Sequence, residues 1–274
     1  MLKHFLKKYF LIFKIKNRFS PEVQISQRQL FAHYSDLKAK NKPIKLANTG
    51  FRVFSQFEED GKLLYIFTVL GMKNKTFVEF GSDDGINSNS ANLYFNFGWH
   101  GLFIDANKQS IERGKYFFSR YPHSWFCPPK FICAKVKKSN INNLIESSSI
   151  NLDVGFLSID IDGNDYHIWE AITCIKPDVV MIETYIEFGN IDKVTPYDEN
   201  FVPTGKQPLN VGASPIAMQK LAHKKGYKLI GANDYGFNLI FLKEELISNM
   251  LPEVALDSVL KHPSVKDKSK KHTS

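Results

Sequence analysis

Five residues, NDYGF at 233–237, separate the aliphatic run YKLIGA (227–232) from NLIFLK (238–243). A parallel return between neighbouring strands needs a crossover of a dozen or more residues, so these two runs must pair as an antiparallel hairpin. Upstream the spacing is different. Strand-like runs at 75–81 (KTFVEFG), 100–106 (HGLFIDA), 131–136 (FICAKV), 154–162 (VGFLSIDID) and 178–184 (DVVMIET) alternate with helix-like segments at 88–97, 108–120, 139–147 and 164–174. A further helical segment, 214–226, precedes the hairpin. Each of these connections is long enough for a helical crossover, which predicts a doubly wound, mostly parallel α/β sheet covered on both faces. Seven strands result, the last one antiparallel.

The 274 residues, 43% of them hydrophobic, suffice for one large core with appendages. Cys127, Cys133 and Cys174 form no CxxC pair and are odd in number, so neither a zinc ribbon nor a disulfide framework is predicted, and a reducing cytoplasm is expected. The formal charge of +8 suggests nucleic acid until it is divided along the chain. Residues 1–20 hold six Lys or Arg and no acid, residues 261–274 hold five Lys against Asp267, and the body between them carries about −2. The predicted organisation is a basic N-terminal arm (1–50), a catalytic domain (51–248) and a basic C-terminal tail (249–274). In the arm, Leu2, Phe5, Leu6, Tyr9, Ile12 and Phe13 fall on one helical face, with Lys3, Lys7, Lys14 and Arg18 opposite. Such a helix either packs on its own domain or lies on the inner face of a membrane as a peripheral contact, and lysines interrupt it too often for a span.

Residues 77–90, FVEFGSDDGINSNS, break from an apolar strand into a glycine turn. In a doubly wound sheet that first turn lies where ligands bind, at the carboxyl ends of the strands. A GxGxxG dinucleotide fingerprint requires glycines at 83 and 86, and Asp83 and Ile86 stand there instead. Two carboxylates in the turn disfavour a diphosphate and tolerate a zwitterion with an amino group and a sulfonium. Asp105, ending the second strand, is placed to accept hydrogen bonds from both hydroxyls of an adenosine ribose.

Taken together, SQFEEDG (55–61), VEFGSDDGINSNS (78–90), GWHGLFIDAN (98–107), LSIDIDGND (157–165), PDVVMIE (177–183), GASPIAMQKLAHKKGYKLIG (212–231) and GFNLIF (236–241) resemble the FkbM-type family of class I S-adenosylmethionine-dependent methyltransferases. The resemblance implies a Rossmann-like methyltransferase fold with a reversed seventh strand, S-adenosylmethionine as cofactor, and O-methylation of a sugar, glycan or small-metabolite hydroxyl. It assigns Glu79, Gly81, Asp83 and Gly85 to the first cofactor motif and Asp105 to the ribose. Ser82, Asn87, Ala106 and Asp160 complete the expected cofactor contacts. The fourth-strand motif departs from the family form, reading SIDIDG.

That strand end, Asp160, Asp162 and Asp165, together with Glu183, forms the candidate acceptor side. One carboxylate acts as base or holds the acceptor; alternatively Asp162 and Asn164 cap the next helix, or the cluster binds Mg²⁺, an option that is not expected. His167 is a further candidate base. The catalytic set is therefore Asp160, Asp162, His167 and Glu183. The segment Tyr185–Ala213, which includes Pro196, Pro203, Gly205, Pro208 and Gly212, is placed to close over the site. Nucleic-acid acceptors are disfavoured, because no Asn or Asp followed by Pro-Pro and an aromatic follows strand four. An NAD-dependent oxidoreductase and a noncatalytic docking module remain as alternatives.

Overall fold

The computed structural model describes residues 11–121, 124–189, 191–202, 211–263 and 265, with only the backbone of residues 12 and 14. Residues 1–10, which carry most of the expected amphipathic face, lie outside the described residues. The chain enters through a short helix α1 (Leu11–Ile15), a 3₁₀ turn (Lys16–Phe19) and the long helix α2 (Pro21–Ala39), which starts with Ser20 as N-cap and Pro21 in its first turn. The alternating body follows: α3 (Glu59–Leu70), β1 (Thr76–Phe80), α4 (Ala91–Phe97), β2 (His100–Asp105), α5 (Lys108–Phe118), β3 (Lys130–Cys133), α6 (Ile141–Glu146), β4 (Phe156–Ile159), α7 (Asp165–Ala171) and β5 (Val179–Glu183). Last come α8 (Pro215–Lys224), β6 (Tyr227–Ala232), β7 (Asn238–Lys243) and α9 (Leu256–Val259).

The seven strands form one sheet in the order β3-β2-β1-β4-β5-β7-β6. β1 to β5 pair in parallel, and β7 inserts antiparallel between β5 and β6, as the five-residue connection requires. The order reverses at β1/β4, which places the switch point at the carboxyl ends of β1, β2 and β4.

Strand alternation divides the core into two apolar layers. Phe77, Phe103, Phe156, Met181 and Ile240 face α3, α4 and α5, while Val78, Ile104, Leu157, Val180 and Phe241 face α6, α7 and α8. The arm belongs to the first layer. Phe19 places its ring 4.3 Å from Tyr121 and 4.9 Å from Phe95, and Gln27 accepts a 2.7 Å hydrogen bond from Asn92. Leu11 and Ile15 are buried in this layer, whereas Phe13, expected on the apolar face, is 66% exposed. At the other end Met250 and Leu251 are buried, and Val254 donates its N–H to Leu229. Residues on both flanks thus pack against the sheet body, and no helix among the described residues is long and apolar enough to cross a membrane.

β4 ends at Ile159, short of the expected 162, because residues 160–164 peel away as a turn with Asp162 at φ +60. Asp165 stabilises that turn by accepting from Ile161 N and Gly163 N, each at 2.8 Å. Asn164 stands at the N-cap position without a capping side-chain bond, and Asp165 reaches back to the turn before the helix rather than to a helical N–H.

Candidate active site

A cavity of about 510 Å³ opens at the switch point. Among the described residues, Gly81 and Asp83 from the first turn, Asp105 and Ala106 from the end of β2, and Asp160 and Asp162 after β4 lie on its wall. These are six of the residues expected from sequence. Ala134, Lys135 and Val136 after β3, Gln56, and Phe201 and Val202 from the expected covering segment complete much of the rest.

The turn geometry explains the two glycines. Gly81 has φ +73, and a methyl there would overlap the carbonyl of Asp160; Gly85 has φ +72, and its added carbon would lie 2.9 Å from the Phe103 ring. Gly81 N donates to Ile104 O at 3.0 Å, drawing the turn against the end of β2. Asp105 then fixes the cavity floor, since one oxygen accepts from Asp83 N (2.9 Å) and the other from Asn107 N (2.7 Å). Each oxygen keeps a second lone pair free for a ligand hydroxyl. Burial, followed by the neighbouring charges of Asp83 and Asp162, raises the Asp105 pKa despite these two bonds.

Glu79, Ser82 and Asn87 are not on the cavity wall. Glu79 points into the first apolar layer, where its oxygens accept from Asn89 N (3.0 Å) and Ser90 N (2.9 Å) at the start of α4. Burial lifts its pKa to about 7. Ser82 is buried, and Asn87 is exposed.

The paired acids of the turn carry a compensating charge that sequence reasoning missed. Arg113, from α5, sets Nε 2.7 Å from Asp84 and Nη2 2.9 Å from Asp83. Asp84 is 3% exposed at its side chain and also accepts from Ile86 N. One guanidinium thus serves both carboxylates, Asp84 buried within the fold and Asp83 half-exposed on the cavity wall. Nothing local in the sequence pairs residues 29 and 30 positions apart.

The SQFEEDG segment acts as a buckle. Asp60 accepts from the N–H groups of Val53, Phe54 and Ser55 at 2.6–3.0 Å, and Glu59 accepts from Phe57 N, Asn233 and Asn238. These bonds hold residues 53–57 against the β6–β7 hairpin and bring Gln56 to the cavity. Sequence comparison marked the segment without revealing that function.

On the acceptor side, the register Ile159↔Ile182 sets the next residues, Asp160 and Glu183, side by side at the sheet edge. Carboxylate oxygens of Asp160, Asp162 and Glu183 all lie within 4.8 Å of one another. At that spacing, with an effective dielectric constant near 20, each ionised pair repels by roughly 3 kcal/mol. Burial first, and repulsion by neighbouring carboxylates second, raise the pKa values of Asp160, where Asp165 and Asp162 lead the repulsion, and of Glu183, where Asp160 does. His167 does not join them. Its Nε2 lies 2.7 Å from the Thr195 carbonyl, its ring meets Tyr197 edge-on, and it is absent from the cavity wall.

The covering segment is tied down at several points. Asn164 donates to Asp198 O (2.8 Å), Tyr197 OH accepts from Lys138 N (3.2 Å), and Tyr185 OH donates to Asp162 O (3.1 Å). Phe201 rests on Gly163, where a methyl would come within 2.7 Å of its ring.

No family model matches the chain, and no curated protein matches it. Among solved structures, it is similar to an O-methyltransferase family protein from Burkholderia thailandensis, at 12% identity and a TM-score of 0.40 over 87% of this chain and 70% of the other. It is similar to an S-adenosylmethionine-dependent methyltransferase from Clostridium acetobutylicum at 10% identity and 0.41, over 79% and 98%. It is also similar to a magnesium protoporphyrin IX methyltransferase from Synechocystis PCC 6803, solved with bound SAM, at 8% and 0.38, over 64% and 74%. The fold assignment rests on the strand order rather than on these likenesses.

Proposed function

We propose that the chain is an S-adenosylmethionine-dependent methyltransferase of the FkbM type, transferring a methyl group to a hydroxyl oxygen of a sugar, glycan or small metabolite. The observation that carries this reading is the Asp105 carboxylate, set on the wall of a switch-point cavity, in a sheet whose seventh strand is reversed. The Asp105 oxygens would receive the ribose hydroxyls. Ile104, Ala134 and Val136 supply apolar wall beside them for an adenine ring, and Gly81 lets the first turn pass close against the Asp160 carbonyl at the cavity edge.

A sulfonium methyl is already activated, so what the protein must supply is alignment and exclusion of water. The acceptor enters from the side of Asp160, Asp162 and Glu183, beneath Phe201 and Val202. Its oxygen lone pair forms the new bond to the methyl carbon, the old carbon–sulfur pair stays on sulfur, and the hydroxyl proton is given up at the polar acid edge. In this reading His167 positions the covering segment rather than touching the acceptor.

The test is transfer of isotopically labelled methyl from the cofactor to a panel of sugars, glycans and hydroxylated metabolites. Label that survives mild alkali as an ether supports O-methylation of a hydroxyl. Label only on nitrogen or as an alkali-labile ester contradicts the acceptor class, and bound cofactor with no transfer to any hydroxyl contradicts the activity.

A further inference from the structure

Most acids near the cavity are accounted for. Asp83 and Asp84 share Arg113, Glu79 and Asp165 accept backbone N–H groups, and Glu59 and Asp60 hold the buckle. Asp160, Asp162 and Glu183 are different. Among the described residues, no N–H or O–H donates to any of their carboxylates, and no Lys or Arg forms an ion pair with one. Glu183 Oε2 is shut off from solvent with no hydrogen-bond partner among the described residues. A buried carboxylate oxygen in that condition signals a missing positive partner.

We propose that Asp160, Asp162 and Glu183 form a binding site for a hard divalent cation, opening onto the cavity. The spacing fits one ion. Two oxygens on opposite sides of a single cation lie about 4.2 Å apart for Mg²⁺ and about 4.8 Å for Ca²⁺, from metal–oxygen distances near 2.1 and 2.4 Å. The three carboxylate oxygens fall within 4.8 Å of one another, and all are hard donors that suit Mg²⁺, Mn²⁺ or Ca²⁺.

The backbone fixes the arrangement. Asp160 and Glu183 are neighbours by strand register, and Asp162 is presented by a turn that Asp165 and the Tyr185 hydroxyl both hold. Asp160 and Asp162 are on the cavity wall, so an ion held among the three carboxylates is open toward the cavity. That open position is where an acceptor oxygen would coordinate. Only this last consequence rests on the methyltransferase reading; cation binding does not.

The test uses the full chain, stripped with chelator and titrated with Mn²⁺ while the free-ion EPR signal is followed, with Mg²⁺ as competitor. One Mn²⁺ per chain, displaced by Mg²⁺, is expected. Glu183→Gln and Asp162→Asn should each weaken it by roughly 10–100-fold or more, and Asp36→Asn, an exposed acid of α2 paired with Lys40, should leave it unchanged. Circular dichroism and thermal melts establish that each variant is folded. Folded wild-type protein that binds no Mn²⁺, or binding that survives both substitutions, overturns the proposal. Calorimetry with S-adenosylmethionine on the same preparation separates the two readings: Mn²⁺ bound without the cofactor leaves the cation site standing and removes the methyltransferase.

Discussion

Arg113→Ala tests whether the acids of the first turn are structural partners rather than a reserve for the ligand. Asp84 is 3% exposed and Arg113 12% exposed at their side chains, with Nε 2.7 Å from the carboxylate. Removing the guanidinium leaves Asp84 as a buried charge with only Ile86 N to satisfy it. Breaking a buried pair in this way costs about 3–5 kcal/mol, whereas the half-exposed contact to Asp83 contributes at most ~1 kcal/mol. For a chain of this size, melting temperature moves roughly 2–4 °C per kcal/mol, so a fall on the order of 10 °C is expected. Asp84→Asn alone should cost less, because the amide is neutral and still accepts from Ile86 N. In the double variant the stranded charge is gone, and stability should recover by about 2–3 kcal/mol relative to the sum of the single changes. The assay is denaturant and thermal unfolding of all four proteins. Additive effects, or an Arg113→Ala protein within ~0.5 kcal/mol of wild type, would refute the coupling.

Gly81→Ala combines a left-handed backbone with overlap on the Asp160 carbonyl, so it should unfold the switch point or shift it, visible as loss of cofactor binding together with a lowered melting temperature. Burial raises Glu79 from 4.5 to about 7, so between those values only the folded state holds the proton. Stability should therefore fall as pH rises through that window, by about 3 kcal/mol from this group, and level off above it. Urea unfolding of wild type and Glu79→Gln across pH 4–8 checks the sign, and an unchanged slope in the variant would remove Glu79 as its source. Phe201→Ala opens the cavity over Gly163 and should raise acceptor KM and hydrolytic side reaction more than it weakens cofactor binding. Equal loss of both would make Phe201 part of the cofactor pocket instead.

The sheet was legible because its determinants are local: alternating runs give the parallel units, and the short NDYGF connection forces the reversed strand. Gly81, Asp83, Asp105, Ala106, Asp160 and Asp162 line the switch-point cavity for a related reason, since the ends of strands identify the switch point once the order is known. Glu79 misled because the alternation of β1 turns it into the helical layer, away from the cavity. His167 misled because a position one turn into α7 says nothing about the Thr195 carbonyl that captures its ring. Phe201 comes from the segment expected to cover the site, whereas Arg113 and Lys135 reach it from positions that no motif marked and no spacing rule joins to it.

The central claim is the nature of the ligand at Asp105. Calorimetric titration of wild type and Asp105→Asn with S-adenosylmethionine, its demethylated product and NADH addresses it directly. The asparagine keeps the shape and one backbone acceptor but cannot receive both ribose hydroxyls. Binding of both adenosyl ligands by wild type, strongly weakened in a folded Asp105→Asn protein, with NADH silent, is the predicted result. NADH binding without either adenosyl ligand, or adenosyl binding indifferent to Asp105, would contradict it.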